Sequence, residues 1–197
     1  MSILELNTIR KLTFGHEEIA AVLGITPASA RVTATRYVGL GLLLQLKRNC
    51  YILRDVWRRL ELEQKFSIAA ILQTPSFISF TTALVYYNIT TQVQQDFIES
   101  AALQRTKTIA VESTVFSYTK LHPNLYRHFG RADKFFIAEP EKAVPDALYL
   151  HSMGKYRLDI SAVDFGKLNR SRLATFAECF PLKVNQLSLR LYDEFEA

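Results

Sequence analysis

Residues 24–41 read GITPASARVTATRYVGLG, and this stretch decides how the N-terminal part of the chain folds. Thr26 belongs to the residue types that cap helix N-termini, and Pro27 suits the first position of a helix. No further proline or glycine interrupts the stretch before Gly39. The pattern therefore predicts a helix that begins after Thr26, continues to about Val38 and ends at the glycines.

Two shorter helices are predicted before this one. Apolar residues recur at helical spacing over residues 3–12, which indicates a first helix. Glu17 and Glu18 favour the positive N-terminal end of a second helix, and Gly24 closes it. Only the short turn Gly24-Ile25-Thr26 then separates the second helix from the third.

A hairpin is predicted after the helices, over Leu42–Leu53. Apolar residues alternate with Gln45, a polar tip Lys47-Arg48-Asn49 follows, and Cys50-Tyr51-Ile52-Leu53 forms the returning strand. Three helices followed by a basic hairpin, with a short turn between the last two helices, is the order of a winged helix-turn-helix. The last helix of that motif enters the major groove of DNA, so a DNA-binding domain is predicted over residues 1–66.

The third predicted helix has two different faces. Ala30, Ala34, Tyr37 and Val38 lie three or four residues apart and are expected to face the core. Small side chains on the other face would let the backbone approach the bases, and the fork of Arg31 matches the two acceptors of guanine. The candidate DNA-binding residues are Thr26, Ala28, Ser29, Arg31, Val32, Thr35, Arg36, Lys47, Arg48 and Asn49. The alternative is a protein-binding domain whose arginines only keep its surface soluble.

The basic residues are concentrated in the first third of the chain. The protein has 197 residues and a formal net charge of +5. Residues 1–66 contain ten Lys and Arg against six Asp and Glu, whereas residues 67–197 contain fourteen against thirteen. A local excess of this sign indicates a polyanionic partner, and double-stranded DNA fits the predicted motif.

The composition is that of a folded protein, with 49% hydrophobic and 22% charged residues. Cys50 and Cys179 are too few for a disulfide framework or a zinc module with several cysteines, so two free and mostly buried thiols are expected. No apolar run reaches the ~18 residues of a membrane span, and no secretory signal opens the chain. A cytoplasmic location without membrane contact is therefore expected.

The remaining two thirds of the chain predict a second domain over residues 67–197. A helix without Gly or Pro, Val56–Ile71, is expected to link it to the first domain. Helices are predicted at Ser79–Tyr87, at Pro140–Leu150 and over most of Leu158–Tyr192, and strands within Phe97–Leu121 and at Phe135–Ile137. The expected fold class is α+β, with an N-terminal winged helix-turn-helix followed by a mixed α+β C-terminal domain.

No catalytic group is evident in the second domain. Glu139, Glu141 and Asp146 could act as paired carboxylates, but acids near the start of a helix are also favoured there by its dipole. No nucleophile, glycine-rich phosphate loop or set of metal ligands accompanies them. We therefore expect no enzymatic activity, no cofactor and no metal.

Several segments of the second domain follow a recognisable order. Residues 137–150 read IAEPEKAVPDALYL, residues 74–79 read TPSFIS, and residues 83–87 read ALVYY. A basic segment, Arg105-Thr106-Lys107, and a strand segment, Phe116-Ser117-Tyr118, lie between them. Over about residues 70–155 this resembles the AbiEi-type antitoxins of bacterial abortive-infection systems, with their A-x-P-E-K-A-L-x-D-x-L-Y and P-S-Y-V-S … A-L-x-Y-Y-G patterns. A winged helix precedes these patterns in the family, as predicted here.

The chain departs from the family pattern at three places. Asn88 stands where a glycine is usual, Ser113-Thr114 replaces the turn glycine of the hairpin, and Pro145 occupies a position that is usually aliphatic. These departures concern local geometry, and the order of the segments is kept.

The resemblance implies an antitoxin that represses its own promoter and counteracts a nucleotidyltransferase-like toxin, with no stable complex between the two required. Arg105, Lys107 and Lys142 lie in the matching segments and are the candidate antitoxin surface. Two other interpretations stay open. One is a winged-helix transcription factor whose C-terminal domain binds a ligand or mediates dimerisation, and the other is an enzyme with an accessory winged helix.

Overall fold

The structure is a computed structural model that describes residues 3–92 and 94–196, without the side chain of Glu196. The fold class is α+β, as the sequence predicts. The chain divides into two compact units, Met1–Lys65 and Phe66–Ala197, which we call unit 1 and unit 2.

Unit 1 contains helices and one hairpin. A 3-10 helix at Ile3–Thr8 opens it. The elements that follow are α1 (His16–Leu23), α2 (Pro27–Gly39), β1 (Leu43–Lys47), β2 (Cys50–Leu53) and α3 (Arg54–Trp57). A further helix, α4 (Leu62–Leu72), begins in unit 1 and ends in unit 2.

Two predicted helices differ from the observed ones. The first, over 3–12, is a 3-10 helix of six residues, because Thr8 donates its hydroxyl to the Glu5 carbonyl (2.7 Å) and tightens the turn. The predicted linking helix Val56–Ile71 is wrong as one element, since α3 ends at Trp57 and α4 begins anew at Leu62. The Gln64 side chain accepts the Glu61 N–H (2.9 Å), which caps this second start.

The core of unit 1 forms where α1 and α2 meet the hairpin. Ala30 and Ala34 are fully buried on α2, and their small size lets the neighbouring backbone come close. Phe14 pairs with Tyr51 through two backbone hydrogen bonds of 3.0 and 2.9 Å, which form an isolated β-bridge beside the hairpin. The other buried members are Leu6, Ile19, Ala20, Leu23, Tyr37, Leu43 and Leu53.

Unit 2 is built on a six-stranded mixed sheet. Its strands are β3 (Ser76–Ile78), β4 (Phe97–Ala102), β5 (Lys107–Val111), β6 (Thr114–Lys120), β7 (Phe129–Ala132) and β8 (Phe135–Ala138). Their spatial order is β5-β6-β4-β3-β8-β7, with β4–β6 and β3–β8 parallel and the other pairs antiparallel. The helices of unit 2 after α4 are α5 (Phe80–Tyr86), α6 (Pro140–Ser152), α7 (Arg170–Ala177) and α8 (Leu182–Glu196).

The structure contains two strands that the sequence does not predict, and part of one range predicted to be helical is not helical. β3 has only three residues and directly follows Pro75, and β7 contains Gly130 and Ala132, which do not favour strands. Both form because they lie on either side of β8. Of the range Leu158–Tyr192, predicted to be mostly helical, residues 158–169 hold only two short 3-10 turns, Ile160–Ala162 and Phe165–Lys167, and the helices α7 and α8 follow.

Candidate nucleic-acid interface

The outer face of α2 and the tip of the hairpin are exposed. Ala30, Ala34 and Tyr37 are buried and Val38 is half-buried, which confirms the predicted inner face of α2. All ten candidate DNA-binding residues are exposed, namely Thr26, Ala28, Ser29, Arg31, Val32, Thr35, Arg36, Lys47, Arg48 and Asn49. The side chains that were proposed from spacing alone therefore reach the solvent.

Hydroxyl groups on α2 are partly used by the helix itself. Thr26 caps it, since its Oγ1 accepts the Ser29 N–H (3.2 Å) and donates to Ser29 Oγ (3.0 Å). Thr35 donates its hydroxyl to the Arg31 carbonyl (3.1 Å). Of these three hydroxyls, that of Ser29 keeps its own proton free for a phosphate or a base.

Asn49 connects the hairpin tip to the start of α1. Its backbone is left-handed (φ 54°), its Oδ1 accepts the His16 N–H (2.7 Å), and its Nδ2 donates to Glu17 (3.2 Å). The amide of this candidate DNA contact is thus engaged within unit 1. Lys47 and Arg48 remain as the cations of the tip.

A polar cleft of about 330 Å³ lies between α2, the hairpin and the start of α1. Its lining residues are His16, Arg31, Thr35, Gln45, Arg48, Asn49 and Tyr51. His16 Nε2 lies 3.0 Å from Tyr51 Oη, and the two rings are 5.5 Å apart. Burial raises the pKa of Tyr51, and the positive charge of Arg31 opposes that rise. The cleft thus brings Arg31 of α2 and Arg48 of the hairpin together over a neutral tyrosine.

A second concave surface lies on the outside of α2. Its volume is about 630 Å³, and Ala28, Arg31, Val32, Thr35 and Arg36 line it. Arg31 and Thr35 therefore belong to both concavities, and Ala28, Val32 and Arg36 only to the outer one.

The electrostatic environment of this interface is basic. Residues 24–53 contain two arginines on α2 and Lys47 and Arg48 at the hairpin tip, and no Asp or Glu. The nearest acids open α1. Glu18 pairs with Lys11 (2.6 Å), and hydrogen bonds from Lys11 and the Gly15 backbone lower its pKa. Backbone and Asn49 hydrogen bonds lower the pKa of Glu17.

Gln45 and Tyr51 also line the polar cleft, although the sequence does not predict them as DNA-binding residues. Gln45 is a polar residue within the alternation of β1, which was a usable signal. No comparable signal marks Tyr51 in the sequence, because a tyrosine in a strand is equally typical of a buried core position.

In unit 2 the candidate antitoxin residues lie in different environments. Arg105 is exposed, and its carbonyl accepts a hydrogen bond from Gln73 Nε2 (2.8 Å). Lys107 is half-buried, with its ammonium donating to the Leu72 carbonyl (3.2 Å) and lying 5.5 Å from the centre of the Tyr118 ring.

The prediction that Lys142 is a surface residue is wrong. Its side chain is 0% exposed and pairs with Asp146, which is also 0% exposed and accepts a hydrogen bond from Ser79 (2.7 Å). The Lys142 ammonium lies 4.9 Å from the Phe180 ring centre. The reason is that α6 is covered by α5 and α8, so even its charged residues face the interior.

The three carboxylates considered for acid–base chemistry are engaged in ion pairs or hydrogen bonds. Asp146 is engaged as described, Glu139 pairs with Arg172, and Glu141 accepts the Asn169 N–H (3.1 Å). Within residues 3–92 and 94–196, no group of three or more His, Cys, Asp or Glu could hold a metal. No described helix is long and apolar enough to cross a membrane.

Comparisons with known proteins give the fold and no family. No protein-family model matches this chain, and no curated protein matches it. Among solved structures, it is similar to the RV2827C protein from Mycobacterium tuberculosis, with a TM-score of 0.60 and 10% sequence identity over 97% of this chain and 75% of that chain. At this identity the likeness concerns the fold alone.

Proposed function

We propose that this protein is a transcriptional repressor that binds double-stranded DNA at its own promoter through a winged helix-turn-helix in unit 1. In this assignment α1 and α2 are the helix-turn-helix, α2 is the recognition helix and the β1–β2 hairpin is the wing. The observation that carries the proposal is the exposed face of α2 beside the hairpin, with Arg31 and Arg48 lining one cleft. Residues 24–53 contain no Asp or Glu, which makes this segment complementary to DNA, and Glu17 of α1 borders it through Asn49.

Each part of the surface suits a different part of the duplex. A helix about 10–12 Å across fits the major groove, which is about 12 Å wide. Arg31 lies on the recognition face and suits a bidentate contact with guanine. Ser29, Lys47 and Arg48 suit phosphates, which position the protein without reading sequence.

The test is a titration of the full chain with its promoter duplex at several salt concentrations. Each phosphate contact should add about 0.9 to the slope of log affinity against log salt. Arg31→Ala should weaken the specific site by about 1–3 kcal/mol, whereas Lys47→Ala should weaken all sequences alike. Arg190→Ala, at an exposed arginine of unit 2, is the matched control and should change neither. Binding that is absent or insensitive to salt would contradict the proposal.

For unit 2 we propose the antitoxin role that the resemblance to AbiEi-type proteins implies. The support is that the matching segments are neighbours: β3 pairs with β8 at Ile78 and Ile137, α5 lies against α6, and Ser79 bonds Asp146. The partner would be a nucleotidyltransferase-like toxin encoded nearby. Co-expression of the full chain with that toxin should restore growth, and Arg31→Ala should restore it equally while losing promoter binding.

The competing role for unit 2 is ligand binding or dimerisation. A cleft of about 330 Å³ is present, lined mainly by His122, Leu125, Tyr149, Cys179 and Phe180. Failure of the full chain to restore growth, together with a ligand that changes promoter affinity, would favour this alternative.

A further inference from the structure

The outer face of α2 carries an apolar stripe that the fold does not use. Val32 is 70% exposed, and Ala28 lies one helical turn before it and is also exposed. Thr35 continues the stripe, and because its hydroxyl is bonded to the Arg31 carbonyl (3.1 Å), its methyl is the group left for a partner. The three residues line the outer concavity together.

Folding gives no reason for a valine at position 32. The core of unit 1 contains Ala30, Ala34 and Tyr37 from α2, and Val32 is not part of it. Valine is also a weaker helix former than alanine, because the helix restricts its branched side chain. What distinguishes Val32 from other exposed apolar residues is its place in a concavity lined by two arginines.

The surroundings of the stripe identify the occupant as DNA. Arg31 lies on the side of the hairpin and lines the polar cleft with Arg48, while Arg36 lines only the outer concavity. The arginines on either side of the apolar stripe suit a polyanion, and α2 contains no acid that would repel it. The stripe itself suits an apolar group on that polyanion. In the major groove the apolar group at base edges is the C5-methyl of thymine.

Resting on the proposed DNA-binding function, we infer that Ala28 and Val32 contact thymine methyl groups beside the guanine that Arg31 reads. The recognised half-site then contains a guanine next to one or more thymines. Val32 is a specificity-determining residue, and Arg31 supplies the polar contact on the neighbouring base pair.

The experiment replaces thymine by deoxyuridine, which removes only the methyl group. Duplexes that bind the full chain are first selected from a random pool, and each thymine of the selected site is then replaced in turn. Loss of one buried methyl group corresponds to about a four-fold weaker dissociation constant, expected at one or two thymine positions next to the guanine.

The variant Val32→Ser tests which residue reads the methyl. At the thymine that Val32 contacts, it should bind the thymine and deoxyuridine duplexes equally, because its side chain makes no apolar contact, whereas a thymine contacted by Ala28 should keep its effect. Val32 is too exposed for the substitution to disturb folding. Leu40→Ser is the matched control, since Leu40 is 64% exposed just after α2 and outside both concavities, and it should keep the four-fold ratio.

The outcomes separate this inference from the function on which it rests. Selection of a site that shows no deoxyuridine effect, or a Val32→Ser variant that keeps the ratio at every responsive thymine, would overturn the inference and leave DNA binding intact. Val32→Ser binding that weakens equally on all duplexes would also overturn it. If no duplex is selected at all, both the inference and the proposed function fail.

Discussion

Asp146 is the buried acceptor at the centre of unit 2, where it receives the Lys142 ammonium and the Ser79 hydroxyl (2.7 Å). Burial raises the pKa of Asp146, and the charge of Lys142 opposes that rise. A buried ion pair gains little net free energy because both charges lose their water. Removing one partner is nevertheless strongly destabilising, because the other charge is then buried and unpaired. The ion pair lies within α6, and the Ser79 hydrogen bond to Asp146 is the contact that joins α6 to the start of α5.

Substitution Lys142→Met should lower the free energy of unfolding by about 3–5 kcal/mol, because it leaves the Asp146 charge buried and unpaired. Adding Asp146→Leu should recover part of the loss by removing that charge. Urea denaturation of the full chain measures both, and the exposed Lys183→Met serves as the control. A loss no larger than that of Lys183→Met would show that the pair is not coupled as the structure describes.

His128 gives the protein a pH dependence of its own. Its ring stacks on Phe176 with centroids 4.0 Å apart, and burial, followed by the charges of Lys142 and Arg127, lowers its pKa. In the unfolded chain the pKa is about 6.5, so the unfolded state binds the proton first as pH falls. The contribution of neutral His128 to stability is present above about pH 6.5 and is lost as pH falls through the lower folded value.

The variant His128→Asn should flatten the fall of unfolding free energy below about pH 6.5. Asparagine is chosen because it tolerates the left-handed backbone at this position (φ 58°). NMR titration of the four histidines should show His128 with a pKa below its ordinary value. A titration at or above that value would contradict the prediction.

At the scale of elements, the hairpin is held to α1 by Asn49. A Cβ at Gly15 would lie 2.9 Å from Glu17 Oε2 and 3.0 Å from Asn49 Oδ1, so a larger residue there would shift these side chains. The link fixes the hairpin tip against the start of α1, next to the cleft that Arg31 and Arg48 line. The hairpin tip is thus tied to α1 by Asn49, in addition to the Phe14–Tyr51 backbone pairing that holds β2.

Asn49→Gly should lower the free energy of unfolding by about 1 kcal/mol, because it removes the link but keeps the left-handed backbone. Asn49→Ala should cost about 1 kcal/mol more, since alanine is strained at this φ. The neighbouring Arg48→Ala should leave stability unchanged and weaken DNA binding. Equal stability of Asn49→Gly and the parent chain, measured in urea, would show that the link contributes nothing.

At the scale of the whole molecule, the position of α4 decides where the chain can be divided. The boundary between the units falls at Lys65 and Phe66, inside α4, and the residues after it are largely buried in unit 2. A cut at the boundary would break this helix, whereas a cut after Leu60 leaves α3 and α4 whole.

Fragments 1–60 and 61–197 should therefore divide the two proposed roles. The first should bind promoter DNA and fail to counteract the toxin, and the second should do the reverse. Gel-shift titration and growth on co-expression with the toxin measure them. Rescue by the first fragment alone would reverse the assignment, and rescue only by the intact chain would show that the units act together.

The sequence by itself determined the features that depend on neighbouring residues: the Thr26 cap, the inner and outer faces of α2, the basic hairpin tip and the α+β class. These follow from caps, periodicity and turn residues within a few positions. Only the tertiary structure decided that Lys142 is buried, that β3 and β7 join the sheet beside β8, and that Asn49 holds the hairpin to α1. The physical reason is that these features depend on contacts between residues that are distant in sequence, or on one element covering another. A local sequence pattern does not determine which distant residues will come into contact.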